Sequence, residues 1–192
     1  MVKRVALALI IFVAASSRAQ PRPSFSAMPG GVVAIALPQS VLQDATVRKQ
    51  LGSGLTTTFL IVAKERATNN AGSARIEIRY DLWDDVWIVR KVEFDRKVDA
   101  QRIASFDALT NWWHNVVRLF ASSGDRVSLD VELSVLPFSA AEQKDAREWI
   151  SKSGGVGTSS RGTGSIVDAL IGTTIAARPI TSYRWRVDLP LK

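Results

Sequence analysis

Apolar and polar residues alternate with a period of two along three segments of the chain. From Val127 to Val135 every second residue is apolar, and the residues between are serines or acids. Arg75–Leu82 and Tyr183–Leu189 show the same alternation. This period is typical of a strand that buries one face and leaves the other in water. We therefore predict three half-buried strands, with the apolar residues, Leu82 included, on the buried faces.

Branched apolar residues concentrate in three further segments, Val32–Leu37, Leu55–Lys64 and Val86–Phe94. Branched side chains favour strands, and polar or glycine-containing stretches between strands favour turns. Arg66–Ser73 and Asp84–Asp85 are such stretches. Together they predict an antiparallel meander in the first half of the chain.

Four segments carry apolar residues at the three- and four-residue steps of a helix. They are Ser40–Leu51, Asp99–Ser122, Ser139–Ile150 and Ile166–Ala176. Ser40 with Gln43 resembles a capping box, Gly52 suits the C-terminal end, and Ser139 with Glu142 resembles a second capping box.

These elements predict an α+β domain, in which an antiparallel sheet of about five or six strands carries helices on one face. A β-sandwich with peripheral helices is the alternative. The domain is predicted to span residues 32–192, with a flexible Gly-rich segment at 153–165. The proline- and glycine-rich residues 20–31 are predicted to be a linker.

The first 19 residues have the three zones of a secretory signal. Lys3 and Arg4 precede the uncharged apolar run Val5–Ala15, and Ser17 and Ala19 are the small residues that a signal peptidase requires. The apolar run is shorter than the about 20 residues that span a bilayer. We expect cleavage after Ala19, a periplasmic or secreted protein, and no transmembrane span after cleavage.

The amino-acid composition excludes several kinds of catalytic and metal site. The 192-residue chain has no cysteine, which excludes disulfides, thiol catalysis, cysteine metal sites and a lipidated N-terminus. It also has no Asn-x-Ser/Thr sequence, so we favour a bacterial envelope over a eukaryotic extracellular setting. The formal charge of +7 falls by three when the signal leaves, so no nucleic-acid partner is predicted. The residual positive charge mildly favours anionic envelope components.

No residue pattern indicates a catalytic centre, a metal site or a cofactor. His114 is the sole histidine, and its place beside two tryptophans predicts a helix-surface position. Asp81, Asp84 and Asp85 cluster at a turn, where aspartate is favoured for local hydrogen bonding more often than for calcium. Acidic residues scattered over the strands leave open a carboxylate-dependent hydrolase.

The Gly-rich segment has a spacing that superficially suits phosphate. Gly157 and Gly162 are separated as in a P-loop, but a predicted helix precedes them and no Lys-Ser/Thr follows. A weaker possibility is an anion site formed by Arg161, Gly162, Gly164 and Ser165 at the start of the next predicted helix. A flexible loop is the plainer interpretation.

Six tryptophans are many for this length, and most are expected in the core. Trp83 lies at a predicted turn, and Trp112 and Trp113 are adjacent on a predicted helix, so they cannot face the same way. Trp83 and Trp112 are therefore the candidates for exposed aromatic contacts with a partner.

The chain resembles an uncharacterised family of exported proteobacterial proteins, a domain of unknown function. The resemblance covers about Val32–Leu136 and rests on element order and short motifs: Leu51–Leu55, Arg79-Tyr80, Trp87–Val89 and Tyr183–Val187. It implies export and transfers no catalytic residue. We expect a non-catalytic binding or interaction module with an envelope protein or an anionic envelope component as partner. A hydrolase and a carrier of an apolar ligand are the alternatives.

Overall fold

The structure is a computed structural model that describes residues 21–68, 70–138 and 179–191. Within these ranges the chain forms nine strands and three short helices. In chain order they are β1 (Ser24–Met28), β2 (Val32–Ala36), α1 (Ser40–Gln43), α2 (Ala45–Leu51), β3 (Thr57–Glu65), β4 (Ala71–Asp81), β5 (Val86–Val92), β6 (Val98–Ile103), α3 (Phe106–Trp113), β7 (Val117–Ala121), β8 (Arg126–Leu136) and β9 (Thr181–Pro190).

The strands form two antiparallel sheets. A six-stranded sheet has the order β6-β5-β4-β3-β8-β9, and a three-stranded sheet has the order β1-β2-β7. The consecutive run from β3 to β5 is the predicted meander, and β6 continues it where a helix was predicted. The sheet-rich character of the fold is therefore confirmed, whereas the two helices predicted in the described part are replaced by three shorter ones.

On β8 the alternating apolar residues are buried and the polar residues are more exposed, as the alternation predicted. Leu129, Val131 and Leu133 are buried, and Asp130 between them is exposed. Their partners on β3 continue the buried face, because Val131 pairs with Ala63 and Leu133 pairs with the buried Ile61. On β9 the same alternation holds with half-buried residues in place of buried ones.

The helix predicted over Ser40–Leu51 is broken into two. Asp44 adopts an extended conformation between α1 and α2, and its side chain accepts hydrogen bonds from the backbone N–H groups of Thr46 and Val47 at 2.9 and 3.3 Å. The predicted capping box at Ser40 is wrong, since Gln39 precedes α1 and makes no side-chain cap. Gly52 ends α2 as predicted.

The single helix predicted over Asp99–Ser122 is wrong. Only α3 is helical there, and it is flanked by β6 and β7. The Ser105 side chain caps α3 by accepting from the Ala108 N–H. Ile103, Val117 and Phe120 fit the same helix face but are buried on β6 and β7 instead, which shows tertiary contacts overriding a local period.

The N-terminal linker prediction also needs correction, because Ser24–Met28 forms β1 and pairs with β2. Burial of alternate residues is weak on β1, which explains why its sequence shows little strand pattern. The predicted signal at 1–19, the predicted helices Ser139–Ile150 and Ile166–Ala176, and the Gly-rich segment at 153–165 lie outside the described residues.

The two sheets approach closely at one end of the core. A Cβ added at Gly72 on β4 would lie 2.1 Å from the Leu119 carbonyl oxygen on β7, so only glycine fits there. At the other end the helices supply the packing: the rings of Trp113 and Phe59 lie 4.7 Å apart, and the Trp113 indole donates to the Pro38 carbonyl. No helix in the described ranges is long and apolar enough to cross a membrane.

Candidate partner-binding surface

The turn between β4 and β5 presents large apolar side chains to solvent. Trp83 is 96% exposed and Leu82 is 66% exposed. Leu55 is 46% exposed and follows Gly54, where an added Cβ would lie 3.1 Å from the Leu82 side chain. Residues Leu82–Asp85 are called the hairpin tip below. Tryptophan is enriched among the residues that dominate binding at protein interfaces, and neighbouring exposed apolar side chains are common at contact surfaces.

The hairpin tip is held in one conformation by its own polar groups. The Asp81 carboxylate accepts hydrogen bonds from the backbone N–H groups of Trp83 and Asp84, at 3.1 and 3.4 Å. Asp85 adopts a left-handed conformation with φ of 54°, which aspartate tolerates better than most residues. Because the backbone is fixed in this way, less conformational entropy is lost when Trp83 meets a partner.

Neighbouring elements brace the hairpin tip from both sides. The Tyr80 hydroxyl donates to the Asp85 carboxylate, and the Arg102 guanidinium on β6 pairs with Asp84. The hydrogen bond to Asp85 is the largest cause that raises the pKa of Tyr80 above its ordinary value, since the neutral phenol is the donor.

A row of aromatic rings runs from the hairpin tip toward the helices. The rings of Tyr80 and Trp87 lie 4.7 Å apart, and those of Trp87 and Phe106 lie 5.7 Å apart. The Arg48 guanidinium sits 4.9 Å from the centre of the Phe106 ring, within cation–π range. Tyr80, Trp87 and Phe106, called the aromatic row below, are half-buried and support the tip from beneath.

The electrostatics of the hairpin tip are acidic. Asp81, Asp84 and Asp85 lie within five residues of one another, and Arg102 offsets one of them. Among the described residues no group of three or more histidine, cysteine or acidic side chains is arranged to hold a metal ion. The aspartates instead organise the turn, which is the plainer of the two interpretations that their sequence allows.

The structure separates the predicted site residues. Trp83 is exposed, whereas Trp112 is 8% exposed on α3 and packs in the core, so Trp112 as an exposed aromatic contact is wrong. His114 is exposed at the end of α3, as predicted. Arg161, Gly162, Gly164 and Ser165 lie outside the described residues.

Leu82 and Leu55 are the surface residues that sequence reasoning missed. Leu82 continues the alternation of β4 and was assigned to the buried face, but β4 ends at Asp81. The pair Asp84-Asp85 in the sequence indicates a turn. The alternation of apolar and polar residues, however, does not show where the strand ends and this turn begins. Leu55 lies before β3 begins at Thr57, in a turn that follows α2.

Comparisons with known proteins give no further guidance about this surface. No family model, no curated protein and no solved structure matches the chain.

Proposed function

We propose that this chain is an exported, non-catalytic interaction module that contacts a protein partner through its hairpin tip. The observation that carries the proposal is Trp83, a tryptophan 96% exposed on a turn whose backbone is fixed by hydrogen bonds to Asp81. Tryptophan dominates binding energy when it enters a pocket on a partner, because its burial removes a large apolar area from water.

The charges around Trp83 favour a partner of particular chemistry. Aspartates flank the tryptophan, so a complementary partner offers an apolar pocket with basic residues at its rim. A bilayer is a poorer match, since elements that lie in the membrane interface usually carry Lys or Arg on their polar side, and bacterial lipid surfaces are anionic.

We further propose that the partner is met in the periplasm or cell envelope. The three-zone leader at residues 1–19 and the resemblance to exported proteobacterial proteins of unknown function support this location. The absence of cysteine in the whole chain suits a domain that needs no disulfide in that compartment.

The architecture proposed for the module is α+β, with helices and the small sheet sharing one face of the six-stranded sheet. Support comes from the buried set of the described residues, because α1, α2 and α3 contribute side chains to the same cluster as β3, β4 and β8. The helical members that are buried as completely as the strand residues are Val41, Leu42, Val47, Leu51, Leu109 and Trp113.

Affinity capture from the envelope fraction of the producing cells tests the proposed function. Wild type, Trp83→Ser and Val98→Ser are compared, the last being a matched control because Val98 is also an exposed apolar residue, on β6. We expect a protein retained by wild type and Val98→Ser and lost with Trp83→Ser. Equal retention by all three contradicts the proposal.

Vesicle flotation separates a protein partner from a membrane. Vesicles of phosphatidylethanolamine and phosphatidylglycerol are mixed with wild type and Trp83→Ser. We expect neither to float. Flotation of wild type that Trp83→Ser abolishes would replace the protein partner with a lipid surface.

A further inference from the structure

A second polar site lies between the two sheets, at the opposite end of the core from the helices. A cleft of about 540 Å³ is lined there by Gly30, Glu65, Thr68, Asn70 and the stretch Ala121–Gly124. Its size is within the range of sites that hold small molecules or single side chains. Among these lining residues Glu65 is the only charged one.

The Glu65 carboxylate is buried, and its hydrogen-bond donors among the described residues are all neutral. Glu65 is 7% exposed. Its Oε2 accepts from the Thr68 hydroxyl and, at 3.4 Å, from the Asn70 side-chain amide. Its Oε1 accepts from the Ser122 hydroxyl at 3.4 Å, which is a long and therefore weak bond. A carboxylate oxygen with one long bond retains capacity for a further donor.

Close backbone contacts build the walls of this cleft. A Cβ at Gly31, where φ is 72°, would lie 2.0 Å from the Ser122 carbonyl oxygen, so the β1–β2 turn touches the end of β7 only because glycine is there. The Ser122 N–H donates to the Gly31 carbonyl at 3.0 Å, which fixes the same contact. These contacts fix the backbone of the β1–β2 turn against the end of β7, on one side of the cleft.

We propose that this cleft binds a primary ammonium group, with Glu65 as its counter-ion and the Thr68 and Ser122 hydroxyl oxygens as further acceptors. Both hydroxyls donate to Glu65. Each also accepts from a backbone N–H at 3.3 Å, Thr68 Oγ1 from Asn70 and Ser122 Oγ from Gly124, and keeps one lone pair for an incoming N–H. An ammonium is a compact charge with three donors, which suits one open carboxylate oxygen beside two hydroxyls.

Two other cations fit the cleft less well. A guanidinium prefers two parallel acceptors on one carboxylate, but Oε2 is already occupied by Thr68 and Asn70. Calcium takes six to eight oxygen ligands and favours several carboxylates, whereas the described lining supplies one carboxylate. The ammonium can belong to a lysine side chain or to a free polyamine, since both offer the same group.

Titration of ¹⁵N-labelled protein, followed by the backbone amide signals of Asn70, Ser122 and Gly124, tests the proposal. Propylammonium chloride is the probe, with tetramethylammonium and guanidinium chlorides as controls at constant ionic strength. We expect saturable shifts with propylammonium and none with tetramethylammonium, which has no N–H. Equal shifts with both cations, or none with propylammonium, overturn the proposal without reference to any variant.

Variants then assign the site. Glu65→Gln keeps the shape and removes the charge, so we expect propylammonium to bind about tenfold or more weakly, as loss of a charge-assisted bond implies. Glu132→Gln, at an exposed carboxylate paired with Arg184, is the matched control and should bind as wild type does. Undiminished binding by Glu65→Gln overturns the assignment. Spermidine and the peptide Gly-Lys-Gly with acetylated N-terminus and amidated C-terminus, titrated in the same way, distinguish a polyamine from a lysine side chain by which binds more tightly.

Discussion

Trp83 and Trp113 are the same residue type in opposite environments, 96% and 1% exposed. Removing the buried ring leaves a cavity next to Phe59, so Trp113→Ala should lower the free energy of unfolding by about 3–5 kcal/mol. Trp83 packs against little, and Trp83→Ser should change it by no more than about 0.5 kcal/mol. Urea denaturation measures both changes. A large loss of unfolding free energy with Trp83→Ser would show that the ring stabilises the fold and is not a contact residue for a partner.

The phenol of Tyr80 reports whether the hairpin tip is braced as described. Hydrogen bonding to Asp85 raises the pKa of Tyr80, and burial raises the pKa of Tyr183, so both tyrosines should ionise above the ordinary tyrosine value of 10.0. Asp85→Asn suits the left-handed backbone at that position and removes the charge. The Asp85→Asn substitution should therefore lower one of the two tyrosine ionisation midpoints, which are measured by an absorbance titration at alkaline pH.

The sign of this effect on stability follows from linkage. A pKa raised by folding stabilises the protein below the unfolded value, and that stabilisation is lost as pH rises through the folded value. The difference in unfolding free energy between wild type and Asp85→Asn should therefore shrink above pH 10. Tyr80→Phe identifies the midpoint, because Tyr183 alone remains, and unchanged midpoints in Asp85→Asn would contradict the Tyr80–Asp85 hydrogen bond.

At the scale of elements, strand β8 offers the sharpest test of which side chains point into the core and which point to solvent. Leu129 is fully buried and Asp130 is exposed, paired with Arg186 at 3.3 Å between two solvated side chains. Leu129→Ala should cost about 2–5 kcal/mol of unfolding free energy. Asp130→Ala should cost no more than about 0.5 kcal/mol, since exposed ion pairs contribute little. Equal losses in chemical denaturation would show that the strand faces the other way.

Strands with one solvent-exposed face could be predicted from the sequence, whereas the secondary structure of the region Asp99–Ser122 could not. On β8 the polar residues all lie on the solvent-facing side of the strand, so the alternation of apolar and polar residues is unbroken. On β6 and β7 the strands are short and their exposed positions are irregular, and the residues also fit a helical period. The choice between them is made by tertiary pairing: β6 pairs with the preceding strand β5 across a short turn, and β7 pairs with β2, which is distant in sequence.

The break between α1 and α2 shows the same limit on a smaller scale. The twelve-residue helical pattern contains Asp44, a residue that competes with the helix by bonding nearby N–H groups. Sequence reasoning placed the cap at Ser40, one turn too early. The end at Gly52 was predictable because a glycine after two basic residues is a strong local signal.

At the scale of the whole molecule, the sheet-rich class and the exposure of Trp83 were predictable from the sequence. The second sheet was not, because β1 shows no clear alternation and β2 pairs with β7 across more than 80 residues. Neither was the cleft around Glu65, since Thr68, Ser122 and Gly30 come together only through that pairing and through the β3–β4 turn. The second sheet and the cleft both depend on contacts that no local pattern encodes.

Photo-crosslinking in the producing cells tests the central claim most directly. A benzophenone amino acid replaces Trp83 in one variant and Val98 in the other, so both probes stand on exposed positions, one on the β4–β5 turn and one on β6. The account predicts a discrete protein adduct from position 83 and none from position 98. No adduct from position 83, or the same adducts from both positions, would contradict the claim that the hairpin tip is the partner-binding surface.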